Sequence, residues 1–92
     1  MVEVRAETKG DHWLCQVSVD HGGLRTRHSV AVTRADLERW GDGNEREDVE
    51  SLVARSFDFL LEREPANAIL AGFDLSVIQR YFPEYDSAFR RR

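Results

Sequence analysis

The first third of the chain alternates between apolar and polar positions. Apolar side chains, with polar exceptions at Thr8, Thr26 and His28, recur at every second position over residues 2–8, 13–19 and 24–32. Because successive side chains of a strand point to opposite faces, this period of two predicts three β-strands. Glycine-containing pairs at 10–11 and 22–23 suit the tight turns that join antiparallel strands. The pattern therefore predicts an antiparallel meander.

The two turns also fix the register of the predicted strands. A two-residue turn at 10–11 places Ala6 opposite Cys15, and a second turn at 22–23 places Cys15 opposite Val30. Both pairs then belong to one apolar face. The opposite face carries charged and hydroxyl side chains, so we expect it to be solvated.

After residue 32 the apolar positions follow a helical period. A capping motif at 33–36 starts a short helix that ends near Gly41. A second capping motif at 44–47 starts a longer helix. Because Pro65 disfavours helical geometry in the residue before it, this helix is predicted to end at about residues 63–64.

A last helix is predicted between Asp74, as its N-cap, and Pro83. Phe73 is placed to pack on the helix as a hydrophobic staple. The side chains expected to face inward are Val77, Ile78, Tyr81 and Phe82. Residues 84–92 form a polar tail, which is expected to fray unless Tyr85 or Phe89 docks.

These elements predict an α+β fold, a three-stranded antiparallel β-meander followed by two or three helices packed on one face. A chain of 92 residues cannot divide its apolar side chains between two cores, so residues 1–92 form a single domain. It consists of a β-meander (1–32), a helical layer (33–83) and the polar tail (84–92). The predicted inner layer is Val4, Trp13, Cys15, Val17, Val30, Val32, Leu52, Val53, Phe57, Leu60, Ile78 and Phe82.

Charge and cysteine content restrict the partners and the compartment. The chain carries 17 acidic and 13 basic side chains, a formal net charge of −4, which makes nucleic acid a disfavoured partner. No apolar stretch reaches the roughly 18 residues that span a bilayer. The lone Cys15 cannot form an internal disulfide, which agrees with a reducing compartment. We therefore expect a cytoplasmic protein with no membrane partner.

Candidate metal and nucleophile chemistry lies in the hairpin that holds His12, Cys15, His21 and His28. Structural zinc sites bind four nitrogen or sulfur ligands in a tetrahedral arrangement, so the four side chains would have to converge on one point. Strand alternation puts Cys15 and His28 on the inner face, whereas His12 lies on the outer face and His21 at a turn. A dyad of Cys15 and His28 is chemically conceivable, but an apolar sheet face is a poor place for a substrate. We expect no metal site, no catalytic residue and no cofactor, and hence no enzyme.

Residues 27–62 contain, in order, one strand, a short helix, a glycine-containing turn and a longer helix. This order resembles the ribbon-helix-helix family of DNA-binding regulators and antitoxins. The resemblance implies a dimer whose paired strands enter the major groove, where Arg25 and Arg27 would contact bases. The family offers the start of its second helix to a phosphate, but residues 44–48 here include three carboxylates. DNA binding through these arginines is the alternative function.

Two segments in the second half of the chain read SFDFLLEREP (56–65) and FDLSVIQRYFPEY (73–85). They resemble segments of a group of small uncharacterised bacterial proteins with an FDLSVIxRYFPEY-type ending. The resemblance implies no activity, ligand or catalytic residue.

Aromatic side chains near a terminus can anchor a protein partner, which selects Tyr81, Phe82 and Tyr85 as candidate partner-binding residues. The first and third strands are both expected to be sheet edges that a partner strand could extend. The sequence therefore predicts a non-enzymatic small binding or adaptor protein. It would act through protein–protein contacts, including those of a homodimer.

Overall fold

A computed structural model describes residues 1–90 and shows an α+β fold of four strands and four α-helices. The expected fraying of the last two arginines lies outside the described residues. In chain order the elements are β1 (Val2–Thr8), β2 (His12–His21), β3 (Leu24–Thr33), α1 (Arg34–Trp40), α2 (Arg46–Leu61), a 3-10 helix (Ala66–Ala68), β4 (Gly72–Asp74), α3 (Val77–Tyr81) and α4 (Glu84–Phe89). No helix among these is long and apolar enough to cross a membrane.

The first three strands form the predicted meander in the predicted register. Ala6 pairs with Cys15, and Cys15 pairs with Val30. The second turn has the positive φ angles that a primed hairpin turn needs, 61° at Gly22 and 80° at Gly23. The register therefore follows from turn length and the alternating pattern.

A fourth strand, β4, lies where the sequence predicted the start of a helix. It runs parallel to β3, with Phe73 opposite Val30. The backbone N–H of Ser29 donates to Ala71 O at 2.8 Å, and that of Leu75 donates to Ala31 O at 2.9 Å. The expectation that the third strand is an edge was therefore wrong, because β3 lies between β2 and β4 and the edges are β1 and β4.

The first two helices, α1 and α2, begin with capping interactions. The Thr33 hydroxyl accepts a hydrogen bond from the N–H of Asp36 at 3.0 Å, and the Asp36 carboxylate accepts one from the N–H of Thr33 at 3.1 Å. In α2 the N–H of Glu45 donates to Oδ2 of Asp48 at 3.0 Å, and this helix begins one residue later than predicted. It ends at Leu61, slightly before the predicted boundary.

The predicted polar tail folds as α4 and docks on the core. Tyr85 is fully buried, and its hydroxyl lies 2.7 Å from Oγ of Ser56. The indole N–H of Trp40 donates to Asp86 at 2.9 Å. These two bonds give the helix buried polar partners, which is why an apparently polar segment packs instead of fraying.

The helices cover one face of the sheet and enclose a single core. Of the predicted inner layer, all residues are buried except Val4, Trp13 and Phe82, which pack against the core while partly exposed. Tyr81, predicted to face inward, is 69% exposed. At the end of the short α3, the ring of Tyr81 therefore points to solvent.

Candidate partner-binding groove

The residues considered for metal and nucleophile chemistry are held apart or buried. His28 is buried, with Nδ1 2.7 Å from Leu70 O and Nε2 2.8 Å from the Thr26 hydroxyl. His12 lies 2.7 Å from Asp11 at the first turn. Within residues 1–90, no three His, Cys, Asp or Glu side chains are grouped to hold a metal ion.

Cys15 is fully buried, and burial raises the pKa of its thiol from 9.0 to about 12, with a smaller contribution from the charge of Glu50. We expect the native thiol to react with an aromatic disulfide reagent at least about a hundredfold more slowly than the unfolded chain, because both access and the thiolate population are reduced. The measurement compares the release of the coloured thiol in buffer and in denaturant. Similar rates in the two conditions would contradict this burial.

The arginines of the DNA-binding alternative lie on the outer, helix-free face of the sheet. Arg25 is exposed and lies 3.4 Å from the carboxylate of Asp20. Arg27 is exposed too, and its row across the sheet continues to Glu3. A ribbon-helix-helix dimer would pair β3 with its copy, but at residues 29–31 both edges of this strand are already occupied. The acidic neighbours and the occupied strand make this face a poor match to such a ribbon.

An apolar groove of about 380 Å³ lies beside β4, between the end of α2, the 3-10 helix and α3. Buried side chains line its inner part, namely Leu60, Ile69 and Ile78. More exposed side chains form its walls and rim, namely Leu70, Phe73, Val77, Tyr81 and Phe82. The groove is therefore a concave, mostly apolar surface continuous with the core.

Two large hydrophobic side chains on this groove are exposed to solvent. Tyr81 is 69% exposed and Leu70 is 51% exposed. Within the described part of the chain, the other large hydrophobic side chain with such exposure is Met1. Clustered exposed apolar side chains beside a concavity are typical of interaction sites, whereas isolated ones are ordinary.

Glu64 contributes the one charged side chain of the groove lining. Loss of solvent around the carboxyl raises its pKa above the ordinary value. The neighbouring carboxylates of Glu62 and Glu84 each have a counter-ion, because Arg63 lies 3.5 and 3.3 Å from them respectively. Glu64 thus places a carboxylate, with no counter-ion among residues 1–90, in a largely apolar environment.

The groove adjoins the unpaired edge of β4. Ala71, Ser29, Ala31 and Leu75 bond across the β3–β4 pair, so strand alternation turns the N–H and C=O groups of Gly72 and Asp74 away from β3. Both of these residues are exposed. This is an edge at which a further strand has free backbone groups to pair with.

The other sheet edge, β1, is shielded by α2. The N–H of Ala6 points away from β2 and donates to Oε2 of Glu50, on α2, at 2.9 Å. Charged side chains that approach an edge strand in this way block the pairing of a further strand. The β1 edge is therefore blocked at Ala6, whereas no side chain among residues 1–90 bonds to the outward backbone groups of Gly72 or Asp74.

A larger cleft of about 620 Å³ lies beside the first hairpin. Its lining mixes Trp13 with side chains of both charges, including Arg34 and Glu38. His12, also in the lining, is paired with Asp11. This mixed, solvated composition lacks the contiguous apolar wall that distinguishes the groove beside β4.

The structure brings together two of the three predicted partner-binding residues. Tyr81 and Phe82 line the groove, whereas Tyr85 is buried beneath α4 and is inaccessible to a partner. Sequence reasoning missed Leu70 and assigned Phe73 to helix packing. The signal available for both was that each is a large apolar residue in a segment with no clear periodicity.

Comparisons of the chain with protein-family models, with curated proteins and with solved structures find no match.

Proposed function

We propose that this chain is a non-enzymatic protein-binding module, and that the groove beside β4 is its docking surface. One observation carries the proposal: exposed Tyr81 and Leu70 flank an apolar concavity that adjoins an unpaired sheet edge. A partner that fills the concavity would remove these side chains from water and gain main-chain bonds from the edge.

The side chains that line the groove beside β4 favour binding of a protein partner over catalysis. Acid–base catalysis uses positioned titratable groups that exchange a proton with the substrate, commonly in pairs. The groove holds one carboxyl, Glu64, and the phenol of Tyr81, which points to solvent. Aromatic side chains in such positions are the commonest energetic anchors of protein interfaces.

The experiment that tests the proposal is a selection from a random peptide library displayed on phage. The wild-type chain serves as the target, and the Val77→Glu variant, with a charge on the groove wall, serves for counter-selection. We expect enriched peptides that share an apolar pattern and bind the wild type only. Enrichment of the same peptides on both proteins, or of none on the wild type, would overturn the proposal.

Replacing Tyr81 by Ala is expected to weaken binding of a selected peptide by about tenfold or more, because the ring supplies an anchor at the groove rim. The variant should fold normally, since the ring is 69% exposed. Calorimetric titration measures the affinity, and circular dichroism checks the fold. Arg25→Ala on the outer face is the matched control and should bind like the wild type. Equal affinities for Tyr81→Ala and the wild type would remove this ring from the docking surface.

A further inference from the structure

We propose that the partner segment is an extended strand that pairs with the free edge of β4 and carries a basic residue opposite Glu64. This inference rests on the proposed function and names the chemistry of the occupant. It predicts a recognisable pattern, in which an apolar side chain and a Lys or Arg lie two positions apart and enter the groove together.

The strand conformation follows from the backbone of β4. The N–H and C=O groups of Gly72 and Asp74 point away from β3, and both residues are exposed. An added strand has complementary groups at the same spacing, whereas a helix has its backbone groups bonded internally. Gly72 also has no side chain on the outer face to obstruct an incoming backbone. An extended segment is therefore the conformation that satisfies this edge.

The side-chain pattern follows from the position of Phe73. Phe73 lies opposite Val30 on the helix-covered face and forms part of the groove wall. A residue of an added strand beside Phe73 points to the same face, and so does a residue two positions away. Two alternate side chains of the partner thus enter the groove, and the residue between them points to the outer face.

Charge complementarity fixes the second of these side chains. Glu64 is the charged member of the lining, and its carboxylate has no ion-pair partner within residues 1–90. An apolar partner would cover this carboxylate and leave it further desolvated, which is costly. A Lys or Arg on the partner supplies the missing counter-ion and makes a charge-assisted hydrogen bond.

A second copy of this chain fits the groove less well than a separate partner. If two copies paired through β4, the residues two positions from Phe73 would be Ala71 and Leu75, neither of which is basic. Each copy also carries a net charge of −4. A second copy that pairs through β4 therefore supplies no basic residue opposite Glu64, and this favours a separate protein as the partner.

The predicted ion pair between Glu64 and a basic residue of the partner is tested by a double-mutant cycle on the peptides selected from the random library. The wild-type chain and Glu64→Gln are each titrated with a selected peptide and with the same peptide carrying norleucine in place of its basic residue. We expect Glu64→Gln to weaken binding of the basic peptide by about tenfold and not to weaken binding of the norleucine peptide, which instead gains affinity because it no longer covers an unpaired carboxylate. Glu62→Gln, whose side chain is 76% exposed, is the matched control and should change neither affinity.

The strand pairing is tested on the peptide, which leaves the protein intact. Methylation of a backbone nitrogen removes one N–H donor and obstructs pairing on that side. We expect methylation at alternate positions, those that face β4, to reduce affinity by about a hundredfold, and methylation at the positions between them to have little effect. Equal effects at both sets of positions would contradict strand addition.

The outcomes separate this inference from the proposed function. Peptides that need an intact groove but contain no basic residue, or that show no coupling to Glu64, would overturn the inference and leave the docking surface in place. A dimer in light scattering that Val77→Glu converts to monomer would show a second copy as the occupant and overturn the separate partner. Absence of groove-dependent peptides would overturn both.

Discussion

Replacing Tyr85 by Ala is expected to lower the free energy of unfolding by about 3–5 kcal/mol. This is a large part of the roughly 5–15 kcal/mol that stabilises a typical domain. The ring is fully buried, and its centroid lies 5.0 Å from that of Trp40, 5.3 Å from that of Phe59 and 4.4 Å from that of Phe89. Its removal would leave a cavity between α4 and the rest of the core.

The conservative variant Tyr85→Phe separates packing from hydrogen bonding. It retains the ring and loses the bond to Ser56, whose hydroxyl still donates to Leu52 O at 2.7 Å. We expect a loss of about 1 kcal/mol. Urea denaturation followed by circular dichroism measures both variants. A stability close to wild type for Tyr85→Ala would show that α4 does not dock as described, and would restore this side chain as a candidate for partner contact.

Replacing Val77 by Glu is expected to reduce the affinity for selected peptides by at least about a hundredfold, or about 2.7 kcal/mol. Val77 lies on the groove wall and is only half-buried, so the new carboxylate should reach solvent while the chain remains folded. In the complex the new carboxylate would be covered by apolar groups of the partner, whose basic residue is already paired with Glu64. Covering a carboxylate without a counter-ion is costly and opposes binding.

Ala35→Glu is the matched control for that variant, because it places the same side chain on an exposed position of α1, outside the groove lining. Its affinity should equal that of the wild type, and thermal denaturation should show both variants folded. Wild-type affinity in a folded Val77→Glu protein would exclude this wall from the interface. Tyr81→Ala provides a second variant with a milder change of the same surface.

Local sequence signals were sufficient for the meander and for the first helix. The pairing of Ala6 with Cys15 depends on a short turn and an alternating pattern, which both lie within the hairpin. The capping box of Thr33 and Asp36 is likewise complete within one helical turn. These features were predictable because the residues that determine them are neighbours in the chain.

β4 and α4 depend on partners that are distant in sequence. A three-residue strand is too short to show a period of two, and Phe73 pairs with Val30 far earlier in the chain. The docking of Tyr85 relies on Ser56, 29 residues away. A one-dimensional pattern contains no signal for either contact. The sequence therefore predicted a helix start at β4, and at α4 a polar tail that would fray unless Tyr85 or Phe89 docked.

The candidate site was predictable only in part for the same reason. Aromatic composition was enough to select Tyr81 and Phe82, yet the helical pattern predicted that Tyr81 faces inward. The groove is assembled from α2, the 3-10 helix, β4 and α3, so its shape depends on where β4 joins the sheet. Glu64 had no distinguishing sequence signal, because it lies within a segment rich in acidic residues.

The most direct test of the docking surface is a two-dimensional ¹H–¹⁵N correlation spectrum of the labelled chain, recorded during titration with a selected peptide. If the groove is the interface, the largest shifts will fall on the amides of Leu70, Phe73, Val77 and Tyr81, with the amides of Gly72 and Asp74 shifting as β4 gains a strand. The amides of the outer sheet face, including Arg25 and Arg27, should change little. Shifts centred on that outer face, with the groove amides unchanged, would contradict the account.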